Sequence, residues 1–353
     1  MKITSGLVAA GAVAATAYGV HAADAVIVAE PEPMDYVRVC DAHGEGYFYI
    51  PGSETCLKIG GYLRAEFAGG DPNGQDTYPG GGGDSWFTRS RLLLAMETAS
   101  ATDFGNLNTY FEVEIDRDDN NDAYDTIKAA YIELAGFRAG LSDTLYTEFT
   151  GYAGNGINDY YYVDYGDFAR NQLRYTYDPG SGFSFGLAVE DPSEQNNDRV
   201  YDYAVAEDSY MPDLVVAAGY TAGDFMIRGA GGYDASMEEG AVKVRIDGKI
   251  GQLSLFAMGG WSTDGDRINN YALWEGDWAA WLGATYDLSD KAQFNASINF
   301  DEGDDIEAAL NVVYTVVPGL TITPELDFVN NMDEKAGPKA KNWGGVLRVQ
   351  RDF

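Results

Sequence analysis

From Leu57 to the last residue, apolar and polar positions alternate with a period of two, in segments of about ten residues. Phe183 to Val189 sets large apolar residues against small ones. Val242 to Ile246 sets Val and Ile against Lys243 and Arg245, and Leu347-Arg-Val-Gln repeats the pattern near the end. Successive side chains on a strand point to opposite faces, so each segment predicts a strand with one apolar and one polar or small face. No stretch of the mature chain carries the period of a long amphipathic helix.

The connections separate into two kinds. Tight turns fall at 103–105, 135–136, 179–182, 222–224, 249–251, 289–290 and 318–319. Between them lie mostly longer stretches rich in Asp, Asn, Gly and Pro: 69–84, 116–123, 142–167, 192–212, 234–240, 263–276, 301–304 and 330–341. These fifteen links join sixteen strands. An even count, short turns at one end and longer loops at the other predict a 16-stranded antiparallel transmembrane β-barrel, with short periplasmic turns and longer extracellular loops. A soluble sandwich does not segregate its loops in this way.

The polar face decides the solvent. Parity puts Arg89 and Arg91, Glu112 and Glu114, Arg170, Gln172 and Arg174, Lys243, Arg245 and Asp247, and Glu325 and Asp327 inside. A dry interior holding so many charges would carry extreme desolvation costs. A wet lumen accepts them, and sixteen strands enclose an aqueous channel rather than a packed core. The apolar faces then meet lipid. Tyr62, Tyr175, Tyr177, Tyr220, Tyr286 and Phe353, near strand ends, fit interfacial aromatic girdles.

Composition narrows the chemistry. The 353 residues carry a formal charge of −33, which argues against nucleic acid as a partner. Only two histidines occur, and His21 lies in a targeting segment. That leaves His43 and removes the usual base of a serine nucleophile, so the chain does not read as an enzyme. Lys2, the small-residue apolar run from Gly6 to Val20 and the Val20-His21-Ala22 site make residues 1–22 a signal peptide. The run is too short to anchor a helix in a bilayer. Residues 23–56 form an N-terminal periplasmic-side segment, and 57–353 the barrel. Cys40 and Cys56, in an exported chain, point to a disulfide, with two free buried thiols as the alternative. A metal site lacks partners beyond His43, and no loop has EF-hand spacing, so no metal or cofactor is expected.

Two stretches carry a family resemblance. Asp35-Tyr-Val-Arg-Val-Cys40-Asp-Ala with Gly46-Tyr-Phe-Tyr-Ile-Pro-Gly-Ser-Glu-Thr-Cys56-Leu-Lys-Ile-Gly-Gly-Tyr62 resembles the N-terminal signature of the alphaproteobacterial (rhizobial-type) general porins. Ala130-Tyr-Ile-Glu-Leu-Ala-Gly-Phe-Arg-Ala-Gly140 resembles the segment that precedes their inward-folding third loop, and the chain ends in Phe353 as they do. The resemblance implies a homotrimer in the bacterial outer membrane and passive diffusion of small hydrophilic solutes and ions. It also implies insertion by the barrel-assembly machinery, with Phe353 as part of the signal, among outer-membrane lipid and lipopolysaccharide.

By composition alone, 142–167 is a solvated external loop; the resemblance turns it into the lumen. Its carboxylates Asp143, Glu148, Asp159, Asp164 and Asp167 would then face wall arginines, for which parity offers Arg64, Arg89, Arg91, Arg138, Arg170, Arg174 and Arg245. Opposed charges in a narrow wet constriction create a transverse field, and the acidic excess predicts a weak cation preference. The alternatives are a substrate-selective channel for sugars or peptides and, ranked lower, a barrel enzyme or an adhesin.

Overall fold

The computed structural model describes residues 38–70, 86–118, 123–157, 163–166, 169–192, 210–266, 269–331 and 340–353. Residues 1–37, which include the expected signal peptide, and the loop residues between these ranges lie outside them. After a two-residue strand β1 (Phe48–Tyr49), the chain forms β2 (Cys56–Gly70), β3 (Trp86–Thr102), β4 (Gly105–Asp118) and β5 (Ala123–Leu134). Next come β6 (Phe137–Asp143), a short helix α1 (Leu145–Thr150), β7 (Ala169–Tyr177), β8 (Phe183–Glu190) and β9 (Asp213–Ala222). The remainder is β10 (Phe225–Asp234), β11 (Glu239–Ile250), β12 (Leu253–Ser262), β13 (Trp278–Ser289), β14 (Ala292–Asp301), β15 (Ile306–Val317), β16 (Leu320–Asn331) and β17 (Ala340–Asp352). Every neighbouring pair from β2 to β17 is antiparallel, and β17 pairs back onto β2, closing a barrel of sixteen strands. Closure leaves no free sheet edge, which a membrane-spanning sheet requires. No helix among the described residues is long and apolar enough to cross a membrane.

The tight turns sit where the alternation breaks. Ala135 and Gly136 both have positive φ, 53° and 86°, the geometry of a two-residue hairpin that matches strand twist. β11 shows the alternation most cleanly, with Lys243 and Arg245 buried on the lumen side while Val242, Val244 and Ile246 are exposed outside. Outward aromatics cluster near the strand ends. Phe137, Tyr175, Tyr177, Phe183 and Phe185 form a chain of ring contacts 4.7–6.3 Å apart at one end. Phe67 with Trp86 and Phe328 with Trp343 pair at the other. Tyr62 departs from its girdle assignment. It shares the face of Arg64 and Glu66, and the Arg64 guanidinium lies 4.3 Å over its ring, because residues two apart on a strand point the same way.

At the rim where β17 ends, β1 takes its place beside β2. Cys40 and Cys56 are joined in a disulfide with their Cα atoms 6.1 Å apart, both buried. Tyr47, on the same segment, donates a hydrogen bond of 2.7 Å to Glu97 of β3. Burial next to that carboxylate pushes the Tyr47 phenol up to about 12.

Candidate functional site: the lumen and its inward loops

The connection from β6 to β7 enters the barrel. Thr144 caps α1 through its hydroxyl, which accepts from Tyr146 N at 3.3 Å. Glu190 of β8 completes the cap, accepting from Leu145 N at 2.9 Å and from the Thr144 hydroxyl at 2.5 Å. Gly151, with φ of 88°, ends the helix. Leu145, Tyr146, Val163 and Tyr165 then pack on small wall residues that leave them room, among them Ala188, Ala217, Ala230 and Ala241. The apolar Leu145 and Val163 side chains withdrawn from water contribute about 1.5–3 kcal/mol each.

Beyond α1 the loop is held by its backbone. Lys243 of β11 donates to Tyr165 O, Arg245 to Tyr152 O, and Trp281 Nε1 of β13 to Val163 O at 2.8 Å. Asn311 of β15 donates to Asn155 O at 2.7 Å, and Ile157 N donates to Glu325 of β16 at 2.6 Å. Arg348 of β17 reaches Ile157 O at 3.4 Å. A segment that leaves the wall at β6 is therefore stitched to strands on the far side of the sheet order.

The wall from β17 through β7 carries the other charges. Glu66 sits among three guanidiniums: Arg89 and Arg348 each donate to it at 2.7 Å, and Arg64 stands at 4.0 Å. Arg91 bonds Asp116 with two donors at 2.7 Å each and Glu114 at 2.8 Å. Arg64, Arg89, Arg91 and Arg348 keep 13–17% of their side-chain surface exposed toward the lumen.

Glu148 links the loop to this wall. Arg174 bonds its two carboxylate oxygens at 2.7 Å each, and Arg138 adds a third bond at 3.2 Å. Burial works against the Glu148 carboxylate. The Arg174 hydrogen bonds and the two cationic charges outweigh it and hold its pKa below the ordinary value of 4.5.

The expected residues thus separate. Glu148, Arg138 and Arg174 meet directly, and Arg64, Arg89 and Arg91 line the lumen beside them. Asp143 accepts from the Tyr152 hydroxyl. Asp164 is buried with its charge near Lys243. Arg170 is fully covered, 3.4 Å from an equally covered Asp213. Arg245 stacks over Phe256 at 4.0 Å and bonds Asp247. Asp159 and Asp167 lie outside the described residues. Phe353 continues the ladder, exchanging backbone bonds with Gly61 at 3.0 and 3.1 Å, with its ring exposed outside. Glu66 and Arg348 were absent from the expected set, although they share parity with Arg64 and with the Leu347-Arg-Val-Gln alternation.

A second loop also folds inward. Between β12 and β13, Asn269, Asn270, Tyr271 and Trp274 are buried. Tyr271 stacks edge-on to Tyr146 of α1 at 5.3 Å, and Trp274 to Trp281 at 5.4 Å. Its length and its Asp and Asn content had made it look external.

A solvated lumen lined by paired charges, narrowed by a loop bonded across it and girdled outside by aromatics, is the arrangement of a diffusion channel. Residues 24–352 match the family model described as the porin subfamily. Porin Omp2b of Brucella suis biovar 1 is 37% identical over 367 aligned positions, covering the whole of both chains. The outer membrane channel DcaP of Acinetobacter baumannii superposes with a TM-score of 0.64 at 14% identity, covering 86% of this chain and 99% of that one. The trimer form of OmpT, an outer membrane protein of Vibrio cholerae, gives 0.55 at 14% identity, covering 85% and 100%. With its family and its closed barrel in agreement, this chain belongs to the porins of the outer membrane.

Proposed function

We propose that the barrel is a passive, water-filled channel for small hydrophilic solutes and ions, narrowed by the β6–β7 loop and working as a homotrimer. The reading rests on one observation above all. The loop spans from Glu148, paired with Arg138 and Arg174, to Ile157, bonded to Glu325 on β16, while the arginine wall around Glu66 and Arg91 keeps its exposure to the lumen. Solutes pass between the two. The lumen arginines stand beside carboxylates, so local charge is nearly balanced and no binding step is built in. The overall charge of −33 then gives a weak cation preference that strengthens as salt is lowered. The trimer draws its support from the OmpT structure and from the family. The porin family supports a pore rather than an enzyme.

The test is conductance of the purified protein in a planar bilayer. Current should rise in proportion to salt without saturating, and neutral solutes should pass at rates falling smoothly with size. A current blocked by one sugar or peptide at saturating concentration would replace this reading with a substrate-selective channel.

A further inference from the structure

We propose that the β12–β13 loop is a latch that holds the constriction loop open against the wall, with Tyr271 and Asn270 as the residues that position it. The inference rests on the channel reading and adds the element that governs its closing.

Two independent features point to a built seat. The first is steric. Gly232 of β10 and Gly260 of β12 both occupy lumen-facing positions. A Cβ at Gly232 would collide with the Tyr271 ring, and one at Gly260 would collide with the Trp274 ring. Neither glycine needs a positive φ, so backbone conformation does not explain them. They are recesses shaped to two rings that are 0% and 2% exposed.

The second feature is polar. The Tyr271 hydroxyl donates to Glu190 at 3.1 Å and approaches Asp213 at 3.3 Å; Asn270 donates to Asp213 at 3.1 Å, and Asn270 N to Asp234 at 3.0 Å. Glu190 is the same carboxylate that caps α1. One buried side chain of the wall therefore receives donors from both inward loops, and Tyr271 presses its ring on Tyr146 of α1. The latch and the constriction loop share their anchor, so release of one loosens the other. On the opposite flank α1 is held by Arg138 and Arg174 through Glu148. Loss of the latch then frees the helix on the side facing β8 to β11, letting it move toward the open lumen.

The experiment is voltage-dependent closing in a planar bilayer. Tyr271→Phe keeps the ring and loses both hydroxyl contacts. Asn270→Ala removes the side-chain donor to Asp213. Each should shift the open-to-closed ratio at a fixed voltage about tenfold toward closed, the change expected from losing one hydrogen bond to a charged acceptor. The conductance of the open level should match the unaltered protein.

A double variant, Gly232→Cys with Tyr271→Cys, places two thiols where the glycine recess meets the ring and tests the latch without depending on a weakened fold. Oxidised, it should resist closing; reduced, it should close at lower voltage. Unaltered protein under the same reductant controls for Cys40–Cys56. Equal closing voltages in the oxidised and reduced states, or a Tyr271→Phe protein that folds and closes like the parent, would overturn the latch. Absence of current from the unaltered protein would instead overturn the channel reading.

Discussion

The two halves of the lumen wall use the same residue types at the same parity and put them to different use. On β7 to β13 the inward charges Arg170, Asp213 and Lys243 are covered by the two folded loops, while the Arg228–Asp247 pair toward the turn end keeps 22% of each side chain exposed. Arg170 and Asp213 are each 0% exposed as a pair, and Lys243 is 0% exposed under the backbone of Tyr165. On β17, β2 and β3 the arginines stay partly wet around Glu66 and Asp116. A covered charge leaves water entirely, so it is costly unless paired, and its pairing serves to hold loops in place. A charge left partly exposed acts on whatever passes, and losing one of several partners around it costs less than stranding a lone buried charge. Parity says which side chains face inward; the loops decide which of those the solute meets.

The largest effect that would break this division is excision of the cover. Replacing Leu145–Ile157 by a short Gly-Ser linker should raise single-channel conductance about twofold or more, because the narrowest section controls flux. An unchanged conductance would mean that the loop does not bound the open path.

Stability comes next. Arg170→Ala leaves Asp213 buried beside no cation and should cost about 3–5 kcal/mol. Arg89→Ala leaves Glu66 still bonded by Arg348 and should cost less. Urea unfolding followed by loss of heat-modifiable mobility separates the two, and similar costs would erase the distinction.

Selectivity should answer in the opposite order. Arg89→Gln and Arg348→Gln together remove two positive charges from the lumen lining and should move the reversal potential toward cations. Removing Lys243, under its cover, should leave the reversal potential within scatter.

The smallest effect concerns pH. Glu148 has its pKa held below 4.5, so its pairing with Arg138 and Arg174 is fully present above that value and is lost only as pH falls through the lowered one. The Glu148 pairing should therefore add no change in current noise from pH 7 to pH 5 and a rise only in stronger acid. In Glu148→Gln that acid step should vanish.

Much of this was legible in the sequence. The period-two pattern gave the strand count and faces, because a sheet with lipid on one side and water on the other must alternate. Tight turns such as Ala135-Gly136 fell where positive φ was needed. The inward course of the β6–β7 loop came from resemblance to known porins, since its acidic, tyrosine-rich composition also suits an external loop. What the residues could not reveal was cover. Lys243 and Arg91 have the same parity and charge, and they differ because Tyr165, 78 positions away from Lys243, lies over it. The β12–β13 latch was hidden for the same reason. Its composition resembles that of solvated loops, and the cue lies in Gly232 and Gly260 on other strands, whose meaning depends on register.

The most direct measurement of the central claim is reaction of single introduced thiols with a charged, water-soluble thiol reagent during current recording. The native cysteines are joined to each other and do not compete. Arg91→Cys and Gln350→Cys, on the open wall, should react within seconds to minutes and lower the current. Val215→Cys and Ala241→Cys, beneath the loops, should stay silent in the open channel. Equal reaction on both walls would contradict the division of the lumen into a covered half and a conducting half.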